Sequence, residues 1–318
     1  MINLHSILEN VKSVGITGHI RPDGDCTGST LGLYNYITEY YPDLTVDLYL
    51  GDFSESFLFL KNSDKIIHEY EGCDKQYDVF ITLDCGDLQR IGNAEKMFKL
   101  AKKTVCIDHH VSNQAFADEN YIVPDASSTC ELVYQLLESD KITKEIAECL
   151  YLGIVHDTGV FQYSCTSPLT MKIAGELMGK GINFSQIVDK TYYEKTFHQN
   201  QILGRALLES FTFFEGQVIV SVVKSETMDF YEVTPKDLDG IVSQLRSTKG
   251  VEVAIFIYET GAQEYKVSLR STEKVNVSDI AMHFGGGGHV RAAGCTMNGN
   301  MYDVINNLSA KIAEQLEA

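Results

Sequence analysis

Thr17-Gly-His-Ile-Arg-Pro-Asp-Gly-Asp-Cys-Thr-Gly-Ser29 lies between a short apolar run, Ser13-Val-Gly-Ile-Thr17, and a helical pattern running from Thr27 to Tyr40. A turn placed there belongs at the carboxyl end of a first strand, where open α/β sheets hold their ligands. It carries His19, Asp23 and Asp25, and Pro22 and Gly24 bend the chain so that an imidazole and two carboxylates can converge. Convergence of that kind suits a hard divalent cation. Asp and Gly are also ordinary turn residues, and an Asp before a helix is an ordinary N-cap, so the rest of the chain has to separate the two readings.

The pattern recurs downstream. Thr45-Val-Asp-Leu-Tyr-Leu50 and Ile66-Ile-His-Glu-Tyr70 read as strands, and Asp78-Val-Phe-Ile-Thr-Leu83 is a stronger one that runs into Asp84-Cys-Gly-Asp87. A helix from Ala94 to Lys102 is followed by the strand Thr104-Val-Cys-Ile107, which ends in Asp108-His-His110. Helices follow at Ser128 to Leu137, Thr143 to Val155 and Pro168 to Lys180, the second of them ending in His156-Asp157. Short β-rich runs alternating with helices predict βαβ units and a mostly parallel sheet.

Residues 1–185 are expected to form this first domain, 186–209 a polar, tyrosine-bearing connecting helix, and 210–318 a smaller α+β domain facing it across a cleft. In the last, Phe211 to Val223 reads as a hairpin turning at Glu215-Gly216. A helix from Pro235 to Ser247 and strands at Val251 to Tyr258 and Glu264 to Arg270 come next. Val277 to His283 reads as a helix, Gly285-Gly-Gly-Gly-His289 as a loop, Ala293 to Met297 as a strand and Met301 to Glu317 as a closing helix.

Composition narrows the class of partner. With 44% hydrophobic and 22% charged residues, the chain reads as an ordinary soluble globular protein. None of its eight cysteines forms a Cys-x-x-Cys pair, so neither a zinc ribbon nor a thioredoxin-like motif is indicated, and they read as reduced intracellular thiols. No apolar run reaches membrane-spanning length and the N-terminus has no leader pattern, so the expected location is cytoplasmic with no membrane partner. A net charge of −18 argues against a long duplex nucleic acid, because nonspecific affinity for phosphates comes from Lys and Arg.

Six side chains then stand out: His19, Asp23, Asp25, Asp84, His109 and Asp157. Four carboxylates gathered together repel strongly at low dielectric, and two divalent cations would neutralise them. Mixed His and Asp ligands without a thiolate point to manganese, iron, cobalt or zinc, and the oxygen-rich set leans toward manganese. Asp84, at the end of the central strand, is the candidate bridge between two ions. Such a pair suits hydroxide attack at phosphorus, and hence phosphoester or phosphoanhydride hydrolysis.

With these motifs in order, the sequence resembles the DHH phosphoesterase superfamily, named for the motif that stands here as Asp108-His109-His110. Gly18-His-Ile-Arg-Pro-Asp-Gly-Asp25, Asp84 and Asp157 match its other motifs, and Ser268-Leu-Arg-Ser271 with Gly285-Gly-Gly-Gly-His-Val-Arg-Ala-Ala-Gly294 resembles the DHH-associated C-terminal domain. The resemblance implies two Mn²⁺ per chain, with other divalent metals able to serve. His19 and Asp23 would hold one ion, Asp25, His109 and Asp157 the other, and Asp84 both. It further implies catalytic roles for Asp84 and for His110, which would face the scissile phosphate, with Asp108 supporting the site by hydrogen bonding.

Gly286, Gly287 and Gly288 can offer backbone N–H groups to an anion. Together with His289 and Arg270 they suggest a terminal-phosphate clamp, and Arg246 resembles another substrate-site arginine of the family. Asp87 and His156 are expected to have capping or packing roles, Arg291 is left outside the site, and Cys26, Cys85 and Cys106 are expected to be packed thiols. The chain is expected to lack the extra DNA-binding modules of RecJ-type exonucleases and resembles the compact nanoRNase-type enzymes. These hydrolyse short oligoribonucleotides, pApA and adenosine 3′,5′-bisphosphate (pAp). Cyclic-dinucleotide phosphodiesterases of the same family and a catalytically silent nucleotide sensor are the alternatives, and homodimerisation is left open.

Overall fold

A computed structural model describes residues 2–317, which fall into two units divided between Glu194 and Lys195. The first unit contains α1 (Leu4–Leu8), β1 (Ser13–Thr17), α2 (Gly24–Tyr40), β2 (Thr45–Tyr49), β3 (Val79–Leu83), α3 (Glu95–Leu100), β4 (Lys103–Asp108) and β5 (Glu119–Ile122). Four helices follow: α4 (Thr129–Leu136), α5 (Lys144–Asp157), α6 (Pro168–Met178) and α7 (Phe184–Val188). Its five strands are all parallel, in the order β2-β1-β3-β4-β5. Parallel sheets are covered on both faces, which is why β3 reads as an apolar run interrupted only by Thr82 and is buried throughout.

The strand order reverses direction between β1 and β3. In an open sheet of this order, the crevice beyond the carboxyl ends of those two strands is the place for a ligand. Thr17-Gly18-His19 leaves β1 and Asp84 leaves β3 at that point. Gly18 has to be glycine, because a Cβ there would lie 2.2 Å from Cys26 Sγ. Helices α2 and α5 cross with their backbones almost touching: a Cβ on Gly28 would meet Cys149 O at 2.4 Å, and one on Gly153 would meet Cys130 Sγ at 2.2 Å and Asp25 Oδ1 at 2.6 Å.

Three local expectations need correction. Ile66 to Tyr70 does not form a strand: Ile67 alone bridges to Tyr49. The segment 186–209 is not one helix, since α7 passes into a π-helical turn over Asp189–Tyr193, the chain breaks, and α8 (Phe197–Leu208) starts from the Thr196 capping box. Strand β5 was not anticipated. It is short, polar and at the sheet edge, so it lacks the apolar run that marks an interior strand.

The second unit holds α8, β6 (Phe211–Phe213), β7 (Val218–Val223), α9 (Ser225–Phe230), α10 (Ile241–Arg246), β8 (Val253–Gly261), β9 (Glu264–Ser271), α11 (Val277–His283), β10 (Gly287–His289), β11 (Ala292–Asn298) and α12 (Met301–Leu316). Its mixed sheet runs β10-β11-β9-β8-β7-β6, with β7 and β8 parallel and the other pairs antiparallel. The helix expected from Pro235 is a 3₁₀ turn over Pro235–Leu238 followed by α10. The glycine loop is partly a strand: Gly287 to His289 pair with Ala292 to Gly294. Among the described residues no helix is long and apolar enough to cross a membrane.

Candidate metal centre

His19, Asp23, Asp25, Asp84, His109 and Asp157 converge at the reversal point of the parallel sheet. Asp23 is the N-cap of α2, its Oδ1 accepting from the N–H groups of Asp25 and Cys26, while its Oδ2 lies 3.5 Å from His19 Nε2. The capping and ligand readings of this turn therefore hold together, one oxygen serving each. Asp84 lies just beyond β3 with φ +56°, a left-handed conformation that costs a non-glycine residue about 1–3 kcal/mol and persists only where the surroundings enforce it.

The Asp84 carboxylate divides between two groups. Its Oδ2 is 3.5 Å from His19 Nε2, and its Oδ1 is 3.7 Å from His109 Nε2 and 3.5 Å from His110 Nδ1. On that second side His109 Nε2 also lies 3.0 Å from Asp157 Oδ2 and 3.9 Å from Asp25 Oδ2. Three groups among the described residues bring ligand atoms close enough to hold a cation: Asp25, His109 and Asp157; Asp84, His109 and His110; and His19, Asp84 and Cys26, whose thiol burial keeps protonated.

The imidazoles are prepared for such a role from behind. His19 Nδ1 is 2.9 Å from the carbonyl of Ile20, and His109 Nδ1 is 3.3 Å from that of Ala126. A carbonyl only accepts, so each Nδ1 carries the proton and each Nε2 faces the carboxylates. Asp108 belongs to none of the three groups and supports one of their members: its Oδ1 accepts from His110 Nδ1 at 2.7 Å and its Oδ2 from Asn113 Nδ2 at 2.6 Å.

The electrostatics show where positive charge is demanded. Burial pushes Asp25 well above the usual carboxylate range, and the charges of Asp84 and Asp157 add to the effect. Burial also lifts Asp157 to about 6, against the pull of His109. Burial would lower His19, but its hydrogen bonds to Asp23 and Asp84 outweigh that and raise it to about 10. For His109 the same competition is won by Asp157, Asp25 and Asp84, which push its pKa well above the ordinary imidazole value. These carboxylates favour positive charge beside them, and the oxygen and imidazole donor set fits divalent metal ions.

Other predicted residues have different placements. Asp87 caps a 3₁₀ turn by accepting from Arg90 N–H. His156 Nε2 lies 3.0 Å from Thr191 Oγ1 and its ring packs edge-on against Phe57. Arg291 is committed to the carbonyls of Val275 and Glu273. Cys26, Cys85 and Cys106 are buried, and burial raises all three thiols.

In the second unit, His289 pairs with Ala292, and Ala292 pairs with Arg270, so the three form one transverse row across β10, β11 and β9. Residues directly opposite each other in a sheet present side chains to the same face, which puts His289 and Arg270 on one face with only an alanine between. Arg246 is the last residue of α10. The glycines divide in purpose. A Cβ on Gly286 would lie 2.2 Å from Gly294 O, and one on Gly288 would lie 2.5 Å from Ala292 O, so both are needed for β11 to approach. The Gly286 N–H donates to Ala281 O, so it does not present itself to an anion as expected; Gly287, exposed and with open space at its Cα, is the better candidate.

Two residues at the centre escaped the sequence reading. Asn113 follows the Asp108-His109-His110 run by a turn, and a short amide there was an available signal. Thr129 opens α4 within Ser128-Thr-Cys-Glu131, a helix-start signature, but nothing in that signature points to a carboxylate far away in sequence.

Comparison with known proteins agrees over both units. Residues 13–154 match the DHH family, N-terminal domain, and residues 215–318 match the DHHA1 domain. The bifunctional oligoribonuclease and PAP phosphatase NrnA of Bacillus subtilis (strain 168) is 29% identical over 286 residues, covering 88% of this chain and 87% of that protein. Its namesake from Thermus thermophilus is 29% identical over 287 residues, covering 89% and 84%. Among solved structures, an exopolyphosphatase-related protein from Bacteroides fragilis aligns with a TM-score of 0.90 at 28% identity, over 97% of this chain and 94% of that one.

Proposed function

The chain belongs to the DHH family, joins that domain to a DHHA1 domain and is a phosphoester hydrolase, and from this premise we propose that its substrates are short oligoribonucleotides and pAp. The observation that carries the reading is the convergence of six His and Asp side chains at the switch point, in a chain similar along most of its length to proteins named for both activities.

His19 and Asp23 would hold one divalent cation, Asp25, His109 and Asp157 a second, and Asp84 both through its two oxygens. When bound, a pair of Mn²⁺ ions supplies positive charge for phosphoryl oxygens and acidifies water. His110, its Nδ1 held by Asp108, would offer Nε2 as a proton donor or hydrogen-bond partner for the phosphate. Arg270 and His289 would hold a terminal phosphate, the guanidinium through its planar fork, with the Gly287 and Gly288 backbone and Arg246 completing that subsite.

The test is a turnover panel with purified chain and Mn²⁺: pAp, pApA, a five-nucleotide RNA, cyclic diadenylate and pyrophosphate, with Asp84→Ala as the blank. Turnover of the first three supports the reading. Hydrolysis of cyclic diadenylate or pyrophosphate alone replaces it with a different member of the family. Nucleotide binding without turnover makes the chain a sensor. Arg270→Ala should slow both pAp and pApA, and unchanged rates would remove Arg270 from the substrate site.

A further inference from the structure

Thr129 touches two of the six candidate ligands at once. Its N–H donates to Asp25 Oδ2 at 2.7 Å, its hydroxyl donates to Asp84 Oδ1 at 3.2 Å, and the next N–H, of Cys130, reaches Asp25 Oδ1 at 2.9 Å. Asp25 sits in the first turn of α2 and Asp84 just beyond β3, so the first residue of α4 ties together carboxylates from opposite sides of the switch point.

The backbone part of this contact follows from helix ends. The first N–H groups of a helix have no partner within it, and the dipole there favours a carboxylate. In α4 the Glu131 N–H is taken by the Ser128 side chain, and those of Thr129 and Cys130 are taken by Asp25. That arrangement uses backbone N–H groups alone and does not need the hydroxyl.

The hydroxyl adds a contact the backbone cannot make. It gives a directional donor to Asp84 Oδ1, the oxygen that faces His109 and His110. A carboxylate oxygen accepts along a limited set of directions. With one of them taken by the fully buried Thr129, rotation of the Asp84 carboxylate is limited, and Oδ2 stays directed at His19.

We propose that the Thr129 hydroxyl is a positioning group for the metal centre, fixing the Asp84 carboxylate so that each oxygen serves one half of the ligand set. The proposal rests on the reading of these six residues as metal ligands. Outer partners of this kind typically change metal affinity about 10- to 100-fold when removed.

The experiment measures Mn²⁺ binding to the EDTA-stripped full chain by calorimetry, with circular dichroism and the metal-free thermal midpoint recorded for each protein. Thr129→Val keeps the branched shape and both backbone donors, and should weaken Mn²⁺ binding about 10-fold or more with wild-type fold. Thr129→Ser restores the hydroxyl and should restore the affinity. If Thr129→Val lowers the metal-free midpoint, Thr129→Ser is compared with Thr129→Ala, which differ by one oxygen: tighter binding by the serine variant supports the proposal, and equal binding overturns it. Wild-type affinity in a well-folded Thr129→Val overturns the role of Thr129 and leaves the six-ligand reading intact. Wild-type chain that takes up no Mn²⁺ overturns both.

Discussion

His110 Nδ1 sits 2.7 Å from Oδ1 of Asp108, a fully buried carboxylate at the last position of β4. Burial alone would raise the pKa of Asp108, but the hydrogen bond and charge of His110 and the Asn113 amide hold it below its ordinary value, so it remains an acceptor. The proton on Nδ1 is thereby fixed and the ring is oriented. On the proposed reading Asp108 would act on chemistry through His110, as the carboxylate behind a histidine does in other hydrolytic sites.

Asp108→Asn tests that relationship. The amide keeps one acceptor oxygen and puts an NH2 donor where the second was, so His110 and Asn113 can no longer both donate and the charged hold on the ring is lost. Turnover of pApA should fall roughly 10- to 100-fold, with Mn²⁺ stoichiometry kept. Unchanged turnover at saturating substrate would separate His110 from its buried partner.

Gly153→Ala places a methyl carbon 2.2 Å from Cys130 Sγ and 2.6 Å from Asp25 Oδ1, in the contact between α2 and α5. Overpacking of this kind costs about 1–3 kcal/mol. Urea unfolding should show that loss, together with weakened Mn²⁺ binding. Gly175→Ala in α6 is the control: nothing lies within 4 Å of its Cβ position, and relief of helix-interior glycine entropy should stabilise by about 0.5–1 kcal/mol. If both variants behave alike, the close crossing of α2 and α5 has no energetic role.

Glu252 is buried in the second unit and accepts from the N–H groups of Glu273, Lys274 and Val275 and from the Thr272 hydroxyl, closing the turn after β9. Burial works against its charge, yet these donors hold its pKa below the ordinary 4.5. A folded-state pKa below the unfolded one gives stability that is full above about pH 4.5 and is lost as pH falls through the folded value. Glu252→Gln should cost about 1–3 kcal/mol at neutral pH and flatten that acid dependence. Amide hydrogen exchange at 273–275 should accelerate, and unaltered exchange there would remove Glu252 as the organiser of the turn.

The parallel sheet and part of the candidate site were legible because His19, Asp84 and His109 follow strand ends. An apolar run such as Val79–Leu83 can hardly be anything but a buried strand, and Asp84 directly after it has to emerge at the sheet's carboxyl edge. What escaped depends on partners distant in sequence. Glu119–Ile122 becomes a strand only because Lys103–Asp108 offers it a ladder. Gly287–His289 becomes one only because β11 returns beside it. Thr129 acquires its contacts from residues brought near by the fold, and no local pattern could have announced them.

The candidate ligands are spread from His19 to Asp157, with Asp84 near the middle, and Asp157 is the last residue of α5. During synthesis, a chain that has not yet released α5 from the ribosome can offer only His19, Asp23, Asp25, Asp84 and His109. The half of the candidate set built from His19, Asp23 and Asp84 is therefore on the chain before α5 emerges, whereas the half that needs Asp157 is incomplete until nearly the whole first unit has emerged and α5 has docked against α2. On the proposed ligand assignment the two halves would become available one after the other during synthesis, the Asp157 half last.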